Sequence, residues 1–435
     1  MYAAETFLKR VHQEATNNEY IALAKKHKKK WQQKFALLPN IWKDFVVLNE
    51  DLFATPNTFI APKRQIESIG LLKALYADID DHTHEFRFAS VLYFFEEDFF
   101  GSRVPWPNAV VETGRGMHLY WLIEPLPPDK LPLWQLTQDF LLDALSDITD
   151  YFPQEKVTVD KRVRDATRLL RLPGTLNTKT NTVVKLYQYD IERYSIEEIL
   201  AEYFSDIDYT KILRTNQVRK EKSSKNNNKS KLNVSKLFNS YTLHYSRLLD
   251  IAKLQELRDG YCRVDGELVT TGQRELMCFL YRYYSCLFLH DEEEALRQTL
   301  EFNKRFVEPL SENEVISATK SAEKAFKEWQ ETGKRKYNYR NSTLIELLEI
   351  TEEEQKHLKT IISKSEKYRR NNRRRWKERR GEDGMTKSER EKVETATKVL
   401  ELKNKGMTQV QIARQLGINQ STVSRIKNGK NCYAK

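Results

Sequence analysis

Through the first two hundred residues, apolar positions come in short runs at 45–48, 75–79, 109–112, 119–123 and 183–187. Runs of that length, rich in Val, Ile, Tyr, Phe and Trp, predict strands. They alternate with stretches such as 133–148, whose Leu, Trp and Phe recur at helical spacing. Residues 1–38 read as helical and charged, with no function attached. The pattern breaks at 214–235, where 219–235 is polar, basic and almost free of apolar residues, as in a flexible linker. From 237 to 330, Leu, Phe and Tyr return at helical period with few turn signals. The chain therefore reads as α+β class in five parts: a mixed α/β domain at 1–205, a basic linker at 206–235, a helical domain at 236–335, a helix and basic arm at 336–384, and an all-α domain at 385–435.

Charge changes the picture next. The 435 residues carry a net charge of +11, which points to a polyanionic partner, nucleic acid or an anionic membrane surface. No window approaches the roughly 18 apolar residues of a spanning helix, so no membrane partner is expected. The first residues, with Glu5, Lys9, Arg10 and Glu14, lack the apolar core of a signal peptide. Cys262, Cys278, Cys286 and Cys432 form no C-x-x-C pair, so they are expected to be idle thiols in a reducing cytoplasm. Residues 356–380 hold twelve Lys/Arg against two Glu, a local charge of +10. Tyr368 and Trp376 interleave with this run, and Arg373, Arg374 and Arg375 are its densest part. It is expected to neutralise phosphates without regard to sequence.

Beyond it, 407–427 reads MTQVQIARQLGINQSTVSRIK. Thr408 is a natural N-cap. Ile412, Ala413 and Leu416 form one apolar face, Gly417 supplies a turn where a left-handed backbone costs least, and Ile418 fills the corner. Val423 and Ile426 hold down a second helix that Gly429 ends. Gln420, Ser421, Thr422, Ser424, Arg425 and Lys427 are left outward, side chains suited to base edges and phosphates. This is helix-turn-helix spacing, and it predicts an intracellular DNA-binding protein.

Three segments hold candidate chemistry. In 75–81 (LYADIDD), Asp78 and Asp80 sit at i and i+2 of a strand and share a face. Two carboxylates so placed repel unless a cation intervenes, and their hard oxygens suit Mg²⁺ or Mn²⁺. In 110–121 (VVETGRGMHLYW), the Gly114-Arg115-Gly116 turn offers N–H groups and Arg115 to phosphate, and His118 opens the next strand. In 157–177 (VTVDKRVRDATRLLRLPGTLN), Asp160 or Asp165 is a third acid, and Arg168 and Arg171 could hold template or triphosphate. His82 and His84 lack the apolar neighbours of a rolling-circle nickase pair. The acidic clusters at 292–294 and 352–354 read as exposed helix faces. No zinc-binding Cys/His cluster and no G-x-x-x-x-G-K-[ST] loop is present.

Taken together, D-h-D on a strand, a Gly-rich turn before a strand His, and a distant h-D followed by R-L-P-G-T-x-N resemble the archaeo-eukaryotic primase superfamily. The likeness is to primase–polymerase domains in replication proteins of plasmids and other mobile elements, and it covers roughly 45–200. Gly272-Gln273-Arg274, with Asn303, Pro309-Leu310 and Glu314-Val315 after it, resembles the small helical domain that often follows such cores. The resemblance implies Asp78, Asp80 and Asp160 as metal ligands, with Asp165 the rival for the third. It implies His118 at the incoming nucleotide's phosphates, with Arg115 a further phosphate ligand. The chemistry would be in-line nucleotidyl transfer assisted by two metal ions. The expected function is initiation of plasmid-like replication: origin duplex bound at one end of the chain, and primers made on single-stranded template from nucleoside triphosphates at the other. A helicase would come from the host. The alternatives are a non-catalytic initiator or repressor on a degenerate core, and an integrase or transposase, which needs no Gly-Arg-Gly-x-His turn.

Overall fold

The computed structural model describes residues 2–13, 18–27, 30–38, 50–81, 87–151, 157–204, 229–332, 335–381 and 383–428. The run expected at 45–48, the residues His82, His84, Gly429 and Cys432, and most of the expected linker lie outside these. The chain divides into two compact units, Met1–Ile361 and Ile362–Lys435.

The first unit opens with α1 (Tyr2–Val11), followed by β1 (Tyr20–His27), β2 (Lys30–Leu37) and β3 (Leu52–Ala54). The helical reading of 1–38 is thus corrected: among its described residues only Tyr2–Val11 is helix. Lys, Gln and Ala favour helix locally. Pairing of β1 with both β2 and β3 overrides that preference. Next come β4 (Leu72–Asp81), α2 (Phe88–Asp98), β5 (Ala109–Glu112), β6 (Gly116–Leu126) and α3 (Leu131–Leu145). After them follow β7 (Val157–Val159), β8 (Leu170–Arg171), β9 (Leu176–Asn177), β10 (Thr182–Val183), β11 (Lys185–Gln188) and α4 (Ile196–Tyr203). One four-stranded sheet has the order β2-β1-β3-β8, and one five-stranded sheet has the order β11-β5-β6-β4-β7. All their pairings are antiparallel. The class is the expected α+β.

Strand β4 is buried from Leu72 to Ala77 without a break, so both its faces are covered. Its partner β7 pairs only with Ile79–Asp81. Upstream, side chains take over the missing ladder. Asn57 accepts from the Lys73 and Ala74 N–H groups (2.7 and 3.3 Å). The Trp134 indole donates to the Ala74 carbonyl at 3.0 Å. Gln138 accepts from Tyr76 N–H (3.2 Å) and donates to the Tyr76 carbonyl (2.6 Å). Buried backbone groups must be paired, and α3 together with Asn57 supplies the partners. The strand is therefore held rigidly up to the point where Asp78 begins.

The remainder of this unit is helical: α5 (Lys229–Leu257), α6 (Arg274–Leu289), α7 (Glu292–Asn303) and α8 (Glu312–Thr332), with a small hairpin at 262–269. Helix α5 begins inside the segment read as linker. Helix α6 is the centre, buried from Met277 to Leu289. Cys262, Cys278 and Cys286 are free and buried here. Polar contacts fasten this bundle to the sheets. Tyr281 hydroxyl donates to Glu67 (2.9 Å), Tyr241 donates to Asp139, and Arg168 pairs with Asp291 (3.0 Å). Residues up to Ile361 belong to it as well. Arg258 pairs with Glu354 at 2.8 Å, and Asp250 accepts from the N–H groups of Lys359, Thr360 and Ile361. The expected exposed acidic faces are corrected in part: Glu294 and Glu354 are buried in ion pairs with Arg297 and Arg258.

The second unit contains α9 (Lys364–Glu378), α10 (Lys387–Asn404), α11 (Gln409–Leu416) and α12 (Gln420–Lys427). Ala396, Val399, Ile412, Ala413, Val423 and Ile426 form its core, with Leu402, Met407, Leu416 and Ile418 packed around them. The basic run is a helix over most of its length, capped by Ser363. Among the described residues, no helix is long and apolar enough to cross a membrane.

Candidate active site and nucleic-acid interface

Asp78 and Asp80 leave one face of β4 where two neighbouring strands meet it. Across β6, Asp78 stands opposite His118 and Asp80 opposite Gly116. On the other side, the Asp160 N–H donates to the Asp78 carbonyl at 2.8 Å, just past the end of β7. Carboxylate oxygens of Asp78, Asp80 and Asp160 lie within 4.8 Å of one another. The rival Asp165 is fully buried and turned away. It pairs with Arg168 (2.7 Å) and accepts from the Thr167 hydroxyl (2.7 Å).

Burial, then the charge of Asp160, pushes the Asp78 carboxyl up to about 7. The nearby Arg168 and Arg171 charges offset this only in part, and three carboxylates drawn together are what a divalent cation relieves. The donor set, oxygen only, fits Mg²⁺ or Mn²⁺. His118 sits with Nε2 3.5 Å from Asp78 Oδ1. Burial, then the Arg171 guanidinium, lowers its pKa to about 3, so the ring is neutral. Its Nδ1 is buried and without a hydrogen-bond partner among the described residues.

Gly116 has a steric reason to be glycine. A Cβ there would come 1.9 Å from the Ile79 carbonyl oxygen, on the strand that carries both aspartates. Gly114, at φ +98°, makes the turn, with Thr113 N–H donating to the Gly116 carbonyl at 2.9 Å.

Asp78 and Asp160 open onto a cavity of about 800 Å³. Its sheet-side wall carries Arg162, Arg168, Arg171, Lys179, Trp31 and Phe53, and its helical wall carries Asp291, Glu293, Glu294 and Arg297. Of the expected phosphate ligands, Arg168 and Arg171 are present, and both are ion-paired. Arg171 bonds Asp51 at 2.7 Å and lies over the Phe53 ring, while Arg168 bridges Asp165 and Asp291. Arg115 and His118 are not among the lining residues. Lys179 lines the cavity with no carboxylate partner among the described residues. Sequence reading missed Lys179, although it closely follows the R-L-P-G-T-x-N segment. It also missed Asp51, Arg162 and Arg297, which no local signal marks.

In the second unit the two short helices stand as the spacing predicts. Thr408 caps α11, its hydroxyl accepting from Gln411 N–H and Gln411 reaching back. Gly417 ends that helix at φ +63°. On α12, Val423 and Ile426 face the core, Gln420, Ser421, Arg425 and Lys427 are exposed, and Thr422 and Ser424 are half-buried. On α9, Arg373, Arg374 and Arg375 are exposed, as are Tyr368 and Trp376.

A helix-turn-helix family profile matches residues 400–432. A replication protein of Clostridium perfringens is 38% identical over 340 residues, spanning 78% of this chain and 74% of that protein. Among solved structures, the primase–polymerase domain of cyanophage S-2L overlaps 47% of this chain and 98% of its own, at 16% identity and a TM-score of 0.34. Primase RepB′ overlaps 73% and 94%, at 10% identity and a TM-score of 0.30.

Proposed function

Because the chain belongs to the family of the clostridial replication protein, we propose that it initiates replication of a plasmid-like element and makes or extends the primer itself. The observation that carries this reading is the convergence of Asp78, Asp80 and Asp160 beside a cavity whose sheet-side wall bears Arg162, Arg168, Arg171 and Lys179, in a chain that also holds a helix-turn-helix. A divalent ion held by the three carboxylates would supply the charge that activates a primer 3′-hydroxyl and offsets the departing pyrophosphate. The protein's own side chains do the rest. Lys179, Arg168 and Arg171 meet the triphosphate, and the arginines exchange carboxylate partners for phosphate ones. Neutral His118 steadies the Asp78 carboxylate from the adjacent strand. Outward residues of α12, chiefly Gln420, Ser421 and Arg425, read origin base edges. Arg373, Arg374 and Arg375 of α9 hold phosphates. The site of action is the cytoplasm, and a host helicase opens the duplex.

The test is primer synthesis on single-stranded DNA with Mn²⁺ or Mg²⁺ and labelled nucleotides. Wild type should give product, and Asp78→Ala/Asp80→Ala none, with duplex binding retained in both. Synthesis by the double variant would remove the catalytic assignment. No product from either protein, with duplex binding intact, would favour a non-catalytic initiator or repressor.

A further inference from the structure

A second hollow of about 820 Å³ adjoins the cavity at Asp78 and Asp160, and the two share Trp31, Arg168, Glu294 and Arg297. One wall is strand β2. Trp31, Gln33 and Phe35 alternate along it and so project from one face. Trp31 is half exposed, and its ring meets Phe53 edge-on at 4.9 Å, the same Phe53 that underlies Arg171. The opposite wall comes from α7 and the loop before β4, and it bears Lys63, Arg64, Lys304 and Arg305. Ion pairs join Glu294 to Arg297 and Arg64, Glu301 to Lys304 and Glu67 to Arg305, and the cations lining the hollow still outnumber these carboxylates.

A basic wall facing an aromatic and amide-bearing strand is the chemistry of single-stranded nucleic-acid binding. Cations track the backbone, and flat rings accept unpaired bases of any identity. A base inside a duplex has no free face to offer such a ring. A lone nucleotide belongs at the carboxylates, whereas this hollow leads away from them. We propose that it is the track along which single-stranded template DNA reaches the cavity, with Trp31 the stacking platform at the junction. The inference rests on the primer-making reading of that cavity.

The experiment uses the full chain and a single-stranded oligonucleotide bearing 5-iodouracil. Excess unlabelled duplex is added to occupy the second unit. After irradiation, the cross-linked peptide should lie within residues 31–37. Cross-links confined to residues 364–428 would overturn the proposal. Trp31→Ala should weaken single-strand affinity roughly tenfold, Trp31→Phe should restore most of it, and duplex affinity should stay level in both. Lys63→Ala/Lys304→Ala should flatten the salt dependence of single-strand binding by about 1.4 in log–log slope, at roughly 0.7 per contact. Unchanged single-strand binding in all these variants also overturns the track. Neither readout needs metal or turnover. Cross-linking at Trp31 without primer synthesis keeps the track and removes the polymerase reading, and synthesis without that cross-link does the reverse.

Discussion

Asp78 sits in a strongly charged corner of the cavity. In the fold its carboxyl titrates near 7 rather than 3.8, because burial and Asp160 disfavour its charge. Below that pH a cation must displace a proton. Above it the ionised trio repels itself, and a cation relieves most. The rise in melting temperature produced by Mn²⁺ should therefore grow between pH 6 and 8, and Asp78→Asn should make it small and nearly independent of pH. Differential scanning fluorimetry across that range checks both. Gly116 works at the same scale by being small. Gly116→Ala forces a methyl group against the Ile79 carbonyl, so it should cost about 1–3 kcal/mol in denaturant unfolding. It should also depress primer synthesis by shifting β4 under its aspartates.

Among the elements, α9 and α12 divide the work of holding DNA. Helix α9 is polar nearly all round, and Glu366 is its one buried residue. It is kept by its Ser363 cap and by the pairs of Glu366 with Arg369 and Arg370. A helix of about 15 residues with no apolar face is marginal alone, and phosphate contacts would stabilise it. Replacing Arg373, Arg374 and Arg375 with Ala should weaken duplex binding alike on all sequences. It should lower the salt slope by up to about 2.7, at roughly 0.9 per contact. Arg425→Ala on α12 should instead reduce discrimination between origin and unrelated duplex. Fluorescence anisotropy at several salt concentrations separates the two effects.

Across the whole molecule, the sheets and the helical bundle form one unit because charged groups cross between them: Arg168 to Asp291, Arg64 to Glu294, Arg305 to Glu67. The two walls around the candidate site thus come from sequence-distant segments. Burial also keeps His12, His118, His244 and His290 below their ordinary 6.5. The unfolded chain binds protons at these positions that the folded one refuses. Their contribution to stability is full above pH 6.5 and is lost as pH falls toward the folded values, about 3 for His118 and His244. Asp78, pushed up to about 7, and the buried Asp250 and Asp291, also raised above 3.8, act oppositely and offset part of this. Unfolding midpoints should therefore fall steadily from pH 6.5 to 4.5. A flat profile there would mean the histidines are not buried as described.

The helix-turn-helix was legible in the sequence nearly residue by residue. Its cap, turn glycine and apolar positions interact within about twenty residues, so spacing alone encodes them. The i and i+2 placement of Asp78 and Asp80 was legible for the same reason, since a strand's alternation is local. The choice of Asp160 over Asp165 as their neighbour was not, because it depends on where β7 pairs with β4. Nor was the fate of residues 20–27 and 30–37, whose helical composition yields to the pairing of β1 with β2 and β3. With it Trp31 went unnoticed, since its position beside the cavity depends on sheet order. The wall of α7 is likewise a product of packing between segments far apart in the chain. Local periodicity determines which side chains share a face, and only tertiary contact decides which faces meet.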